Sequence, residues 1–300
     1  MNVDRCDIAA KRTPGGAGER SADRRDVVPL SSPRVLMYHF FGDPPPTGDP
    51  EKLFIGREEF AAHLAELRRG GWHPLDLDGY LAALNGAPTP PRSYLLTIDD
   101  GHQSVIKIAA PMLAEVGIPS ALFVCPGRLG HLARWSDYYP DEPLATGEEI
   151  LTLPGLGMAL GVHGMDHTPT VGMDDAALNT HIVQSRTDLE ALTGTPARSF
   201  AYPFGKHDAA ARDAVAAAGF DVSFAVAREA GRFAVDRVFV RRGDPLLLFR
   251  FKLSTAYRLI SRLAGRMSWL RRQVRTVVHL LSRRRGLVRR GPATPGGVGE

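Results

Sequence analysis

Tyr94-Leu95-Leu96-Thr97-Ile98-Asp99-Asp100-Gly101 begins as an apolar run and ends in two carboxylates and a glycine. Beyond Gln103, the residues Val105, Ile108, Met112, Leu113 and Val116 recur at helical spacing up to Gly117. Pro119 then turns the chain into a second apolar run, Ala121-Leu122-Phe123-Val124-Cys125. Strand, helix and strand in this order predict parallel pairing through a right-handed crossover. At the end of the first strand the chain bends, so both Asp99 and Asp100 can reach one site. One carboxylate can then bind a cation while the other takes a proton from water. Taken alone, Asp-Asp-Gly is equally ordinary turn chemistry.

The same alternation extends in both directions. Upstream lie a short buried run, Val35-Leu36-Met37-Tyr38-His39-Phe40, closed by Pro44-Pro45-Pro46, and an amphipathic helix over 58–69 that ends at Gly70-Gly71. Downstream, Thr146-Gly147-Glu148-Glu149 has the spacing of a capping box, and Met158 to Val162 reads as a strand running into His163. A helix follows from Asp174, then Ser199-Phe200-Ala201-Tyr202 as a strand, the turn Pro203-Phe204-Gly205, and an alanine-rich helix. Val222 to Val226 and Val235 to Val240 complete seven strands interleaved with helices. The choice lies between a barrel and an open doubly wound sheet, and both collect functional residues at the C-terminal ends of the strands.

The formal charge of +4 hides a division. Residues 1–245 hold 24 basic and 32 acidic residues, net −8, whereas 246–300 hold 13 basic and one acidic, net +12. Cys6 and Cys125 are the only cysteines, which excludes a disulfide framework and suits a reducing compartment. Residues 1–33 are polar, without a signal-peptide core, and are expected to be disordered. No uninterrupted apolar run reaches about 18 residues, so the expected location is cytoplasmic.

The second chemical signal is His163-Gly164-Met165-Asp166-His167, two imidazoles four residues apart just past a strand. It lacks the glutamate of a helical zinc-protease motif. Two histidines and one aspartate would leave positions open on a metal.

Together these segments resemble the polysaccharide deacetylase family, the NodB-homology group of carbohydrate esterases. The resemblance rests on Val35 to His39, Leu96 to Gly101, His163 to His167, Phe200-Ala201-Tyr202-Pro203-Phe204-Gly205, and Asp236-Arg237-Val238, in that order over 34–241. It implies a distorted (β/α)7 barrel and a metal-dependent hydrolase that removes acetyl from an N-acetylated sugar. Asp99 then matches the general base, and Asp100, His163 and His167 match the ligands of a divalent metal, usually zinc. Phe204 matches the residue whose backbone N–H holds the oxyanion, and Tyr202 and Pro203 belong to the same substrate-side motif.

Three departures stand out. Gly164 replaces the usual Thr or Ser, Ala201 replaces an Arg that Arg237 could supply instead, and the late Leu-x-His acid is missing. His207 and His279 are poorly placed to stand in for it, and His39, at the end of the first strand, is the expected substitute. The missing acid also leaves open a degenerate barrel that binds carbohydrate or a protein partner without hydrolysis.

Trp135, Tyr138 and Tyr139 fall in a long loop over 126–141, where flat rings either stack on a sugar or pack the loop. Asp166 reads as an orienter of a ligand histidine or as a loop acid, and His102 as a substrate contact or a helix start. His63, His73 and His181 read as surface or packing residues. The domain is expected to end at 245, followed by one long basic amphipathic helix over 246–290 and a disordered end over 291–300. That helix can cover the barrel or a partner subunit, lie peripherally on the anionic inner face of a membrane, or bind nucleic acid. Nucleic acid is disfavoured because the acidic body repels phosphate.

Overall fold

The computed structural model describes residues 28–266 except 47, 136, 137, 140, 227 and 228. The strands are β1 Arg34–Tyr38, β2 Phe40–Phe41, β3 Phe54–Ile55, β4 His73–Leu75, β5 Ser93–Ile98, β6 Ser120–Val124, β7 Met158–Val162, β8 Ser199–Ala201, β9 Val222–Ala225, β10 Val235–Asp236 and β11 Val238–Phe239. All pairings among them are parallel, and the main sheet has the order β10-β9-β8-β7-β6-β5-β1-β11, with β4 beside the first half of β5. β10 and β11 stand at opposite ends of that order yet are separated in sequence by Arg237 alone. A single extended stretch therefore closes the sheet into a seven-position barrel, interrupted at Arg237 where one continuous strand over 235–240 was expected. The small strands β2, β3 and β4 are additions that the apolar pattern did not reveal.

The helices are α1 Arg57–Arg69, α2 Leu77–Leu84, α3 Ala110–Glu115, α4 Gly147–Ile150, α5 Asp175–Leu178, α6 Ser185–Thr193, α7 Ala209–Ala217, α8 Leu246–Leu253 and α9 Thr255–Arg266. Wider π-helical turns lead into α3 and α6, over Val105–Ala109 and Asn179–Gln184. α4 forms as its sequence predicts: Glu149 N donates to Thr146 Oγ1, and Thr146 N donates back to the Glu149 carboxylate.

The period-2 alternation of the strands divides the core into two layers. Leu36, Tyr38, Leu96, Ile98, Leu122, Val124, Val162 and Phe200 face outward, against Phe60, Leu64 and Leu67 of α1, Leu113 of α3, Leu189 of α6 and Val215 of α7. Val35, Leu95, Ala121, Phe123, Ala201, Phe224 and Val235 fill the lumen, together with Val28 and with Leu77, Tyr80 and Leu81 of α2. Gly161 is opposite Phe123 in the β6–β7 pairing, and a Cβ on it would stand 2.6 Å from the Phe123 ring and 2.7 Å from Ser199 Oγ. Its missing side chain is what lets the phenyl ring fill the barrel.

The ends of the chain differ from the sequence reading. Val28 is buried, and Leu30 and Ser32 carbonyls accept from Arg34, so the last residues of the expected leader are packed. α8 belongs to the barrel: Phe249 stacks on His63 at 4.5 Å, Arg250 pairs with Glu66 of α1, and Lys252 donates to Phe239 O and pairs with Asp244. The domain therefore continues past 245. Ser254, in extended backbone, breaks the expected single helix and starts α9, where Tyr257 N donates to Ser254 Oγ. The expected disorder at 1–27 and 291–300, and the tail from 267, lie outside the described residues.

Candidate metal centre and active site

Leu95, Thr97 and Asp99 share the lumen face of β5, so continued alternation would point Asp100 outward. Asp100 instead adopts φ +74°, a left-handed conformation uncommon for a residue with a side chain, and this turns it back over the barrel mouth. β7 delivers His163 next to it by ordinary alternation, since Val162 before it faces outward. His167 returns on a tight loop, with Gly164 at φ +76° and His167 itself at φ +71°. Gly164 stands in the left-handed region, which glycine enters without strain.

Asp100, His163 and His167 are buried, and their ligand atoms lie within 4.8 Å of one another. His163 Nε2 is 3.4 Å and His167 Nε2 3.1 Å from Asp100 Oδ1. His163 Nδ1–H donates to Ala201 O at 2.7 Å, which fixes the tautomer and leaves the Nε2 lone pair aimed at the cluster. Behind it, the Cys125 thiol donates to the His163 carbonyl at 3.2 Å. Among the described residues, Asp100 Oδ1 is buried without a hydrogen-bond partner despite two imidazole nitrogens nearby. Two imidazole nitrogens and one hard oxygen converging on one buried point suit a divalent ion.

His167 is held by rings. Trp135 stacks on it at 4.5 Å and 20°, and Phe204 meets it edge-on at 4.5 Å. Asp166 does not orient either ligand: its carboxylate accepts from Thr168 N at 3.0 Å and lies 3.4 Å from His181, so it shapes the loop.

Asp99 sits beside the triad, 3.9 Å from His163 Nε2. Arg237 grips it in bidentate fashion, Nη1 to Oδ1 at 2.6 Å and Nη2 to Oδ2 at 2.7 Å, and Nη1 also reaches Thr97 Oγ1 at 3.3 Å. The guanidinium is wholly buried, near the Phe123 and Phe224 rings. Arg237 thus occupies the role that Ala201 vacates, reaching up the lumen from the strand that closes the barrel. Burial pushes the Asp99 carboxyl up, but Arg237 and His163 outweigh it and hold it below the ordinary carboxylate range. Asp100 is buried as well, and His167 and His163 bring it well below that range. Thr97, which also donates to Leu36 O at 2.6 Å, was missed in the sequence; its place two residues before Asp99 on the lumen face was the available signal.

The other expected site residues separate into two groups. His39 stands at the mouth, partly buried, with Nδ1 unpartnered; burial lowers its pKa and the two carboxylates oppose that. Phe204 is 49% exposed with φ +57° beside the triad, so the turn presents both its ring and its amide. Pro203 is buried behind Gly164 and sets that turn. Tyr202 does not meet substrate with its side chain. It follows Phe200 onto the outer face, fully buried, where its hydroxyl donates to Phe233 O at 2.9 Å and accepts from Ser223.

The aromatic loop also divides: Tyr139 packs against Phe40 and Phe54, whereas Tyr138 is exposed. His102 is a clamp, with Nδ1 2.8 Å from Ser104 Oγ and Nε2 2.8 Å from Glu142.

A family model described as polysaccharide deacetylase matches residues 86–223, which span β5 to β9 and include the acidic pair and both histidines. The segment that carries the acidic pair and both histidines is thus similar to the polysaccharide deacetylase family. A Bacillus subtilis protein named as a polysaccharide deacetylase, YxkH, is 21% identical over 215 residues, 70% of this chain and 71% of that one. Among solved structures, this chain is similar to the Streptococcus pyogenes deacetylase PplD in complex with acetate, with TM-score 0.63 and 17% identity over 74% of this chain and 98% of the other. It is also similar to IcaB from Ammonifex degensii, with TM-score 0.57 and 24% identity over 71% and 91%. The barrel is the fold of these deacetylases.

Proposed function

We propose that this chain is a metal-dependent hydrolase that removes the acetyl group from an N-acetylated sugar, with zinc as the metal. The observation that carries this reading is the buried juxtaposition of a three-ligand cluster with a separate carboxylate, Asp99, kept ionised by Arg237. A divalent ion held by Asp100, His163 and His167 supplies Lewis-acid polarisation of the acetyl carbonyl and a lowered pKa for water. Asp99 takes the proton of the attacking water, and Arg237 fixes the lone pairs that receive it. The Phe204 amide, ahead of the first hydrogen bond of its turn (Gly205 N to Tyr202 O, 2.8 Å), donates to the oxyanion. His39, neutral at rest because burial lowers its pKa, would pass the proton that Asp99 takes from water on to the nitrogen as the C–N bond breaks, giving acetate and a free amine. Trp135 and Phe204, both packed on His167, form an aromatic rim suited to a pyranose face.

The test is acetate release from N-acetylglucosamine oligomers by the protein as purified, after chelation, and after zinc is restored. Release that chelation abolishes and zinc restores supports the reading. Stoichiometric metal without acetate from any acetylated sugar would instead indicate a barrel that binds carbohydrate without hydrolysis. The role of His39 is tested separately: His39→Gln should retain metal and hydrolyse a nitrophenyl acetate, whose leaving group needs no proton, while losing roughly a hundredfold on the amide. Equal losses on both substrates would remove that assignment.

A further inference from the structure

α9 crosses the N-terminal end of the barrel, opposite the metal cluster, and it packs with its polar side inward. Arg258 Nη1 donates to Leu30 O and Ser32 O at 3.2 and 2.9 Å, Arg262 pairs with Glu229 and donates to Val28 O, and Ser261 Oγ donates to Asp236 at 3.1 Å. The opposite face carries Ala256, Leu259 and Leu263 at i, i+3 and i+7, all exposed, with Leu259 at 46% and Leu263 at 44%. Glu229 and the carbonyls of 28–32 hold the arginine side against the barrel and leave an apolar stripe facing out.

The same spacing continues in the sequence through Met267, Leu270, Val274, Val278 and Leu281, and 267–300 holds eight arginines against a single acid, Glu300. We propose that the Ala256–Leu259–Leu263 face docks on an anionic lipid surface such as the inner leaflet of a cell membrane. Apolar side chains enter the interfacial layer while arginines meet lipid phosphates, so one surface satisfies both features. A second copy of the chain satisfies only the first, since it would bring two strongly basic segments together. None of the described helices is long and apolar enough to cross a membrane, which fits a helix lying on the surface. Docked in this way, the barrel turns its active-site mouth away from the lipid, toward glycan in solution.

Docking is independent of the deacetylase reading and is measured without it. The full chain is sedimented with vesicles of phosphatidylcholine alone and of phosphatidylcholine mixed with phosphatidylglycerol, beside Leu259→Glu/Leu263→Glu and Leu259→Ser/Leu263→Ser variants. The wild type should bind the anionic vesicles and be released by high salt, and both double variants should bind roughly tenfold more weakly or worse, with unchanged circular dichroism. Failure of the wild type to bind anionic vesicles overturns the proposal, as does equal binding by wild type and the serine variant. A dimer in light scattering that these variants convert to monomer, without vesicle binding, would assign the face to a second copy.

Discussion

Arg237 holds both oxygens of Asp99 in a site where neither group meets solvent, so the state of the base depends on this pair. Asp99 needs to be ionised to accept a proton, and its folded-state pKa lies below the ordinary value only because the guanidinium and His163 overcome burial. Such a depressed carboxyl adds stability above its unfolded pKa and loses it as the pH falls through the folded one. In Arg237→Met the burial effect loses its main opponent and the pKa of Asp99 rises. The acid limb of kcat/KM should therefore move to higher pH, with roughly a hundredfold loss at neutral pH and bound metal retained. A pH–rate profile with an unmoved acid limb would assign Arg237 to packing alone.

At the scale of elements, the barrel mouth is assembled by alternation that is interrupted at the right places. The acidic pair and the histidine pair were legible because each is local in sequence and ends a strand. The bond between Arg237 and Asp99 was legible only as a suggestion, because it depends on the last strand returning beside the first, which no local pattern encodes. Tyr202 was misplaced because its neighbours in the motif drew attention away from the period-2 rule, which assigns it with Phe200 to the outer layer. The orientation of α9 was not legible, since its cause is Glu229, distant in sequence. The lumen offers its own test. Gly161→Val would force a branched side chain against Phe123 and Ser199, and should lower Tm by roughly 5–10 °C while the metal ligands stay intact. An unchanged Tm would mean that the Phe123 ring has room to move aside.

At the scale of the whole molecule, α8 ties the end of the chain to the first helix through Phe249 on His63, so acid sensitivity follows from that junction. Burial lowers the His63 pKa to about 4, from an unfolded value near 6.5, so the folded protein holds a neutral imidazole that the unfolded chain would protonate. This stability is fully present above about pH 6.5 and is lost as the pH falls toward 4, on the order of 3 kcal/mol in all. His63→Gln should flatten this part of the stability profile in denaturant titrations at several pH values, and an unchanged slope between pH 6.5 and 4 would place the acid sensitivity elsewhere.

The division of labour between the two adjacent carboxylates is the central claim, and bound metal measured together with acetate release in Asp99→Asn and Asp100→Asn tests it most directly. Asp99→Asn should keep one metal ion per chain and lose at least about a thousandfold in turnover, while Asp100→Asn loses the metal and the activity together. Loss of metal from Asp99→Asn, or turnover by it at the wild-type rate, would contradict the assignment.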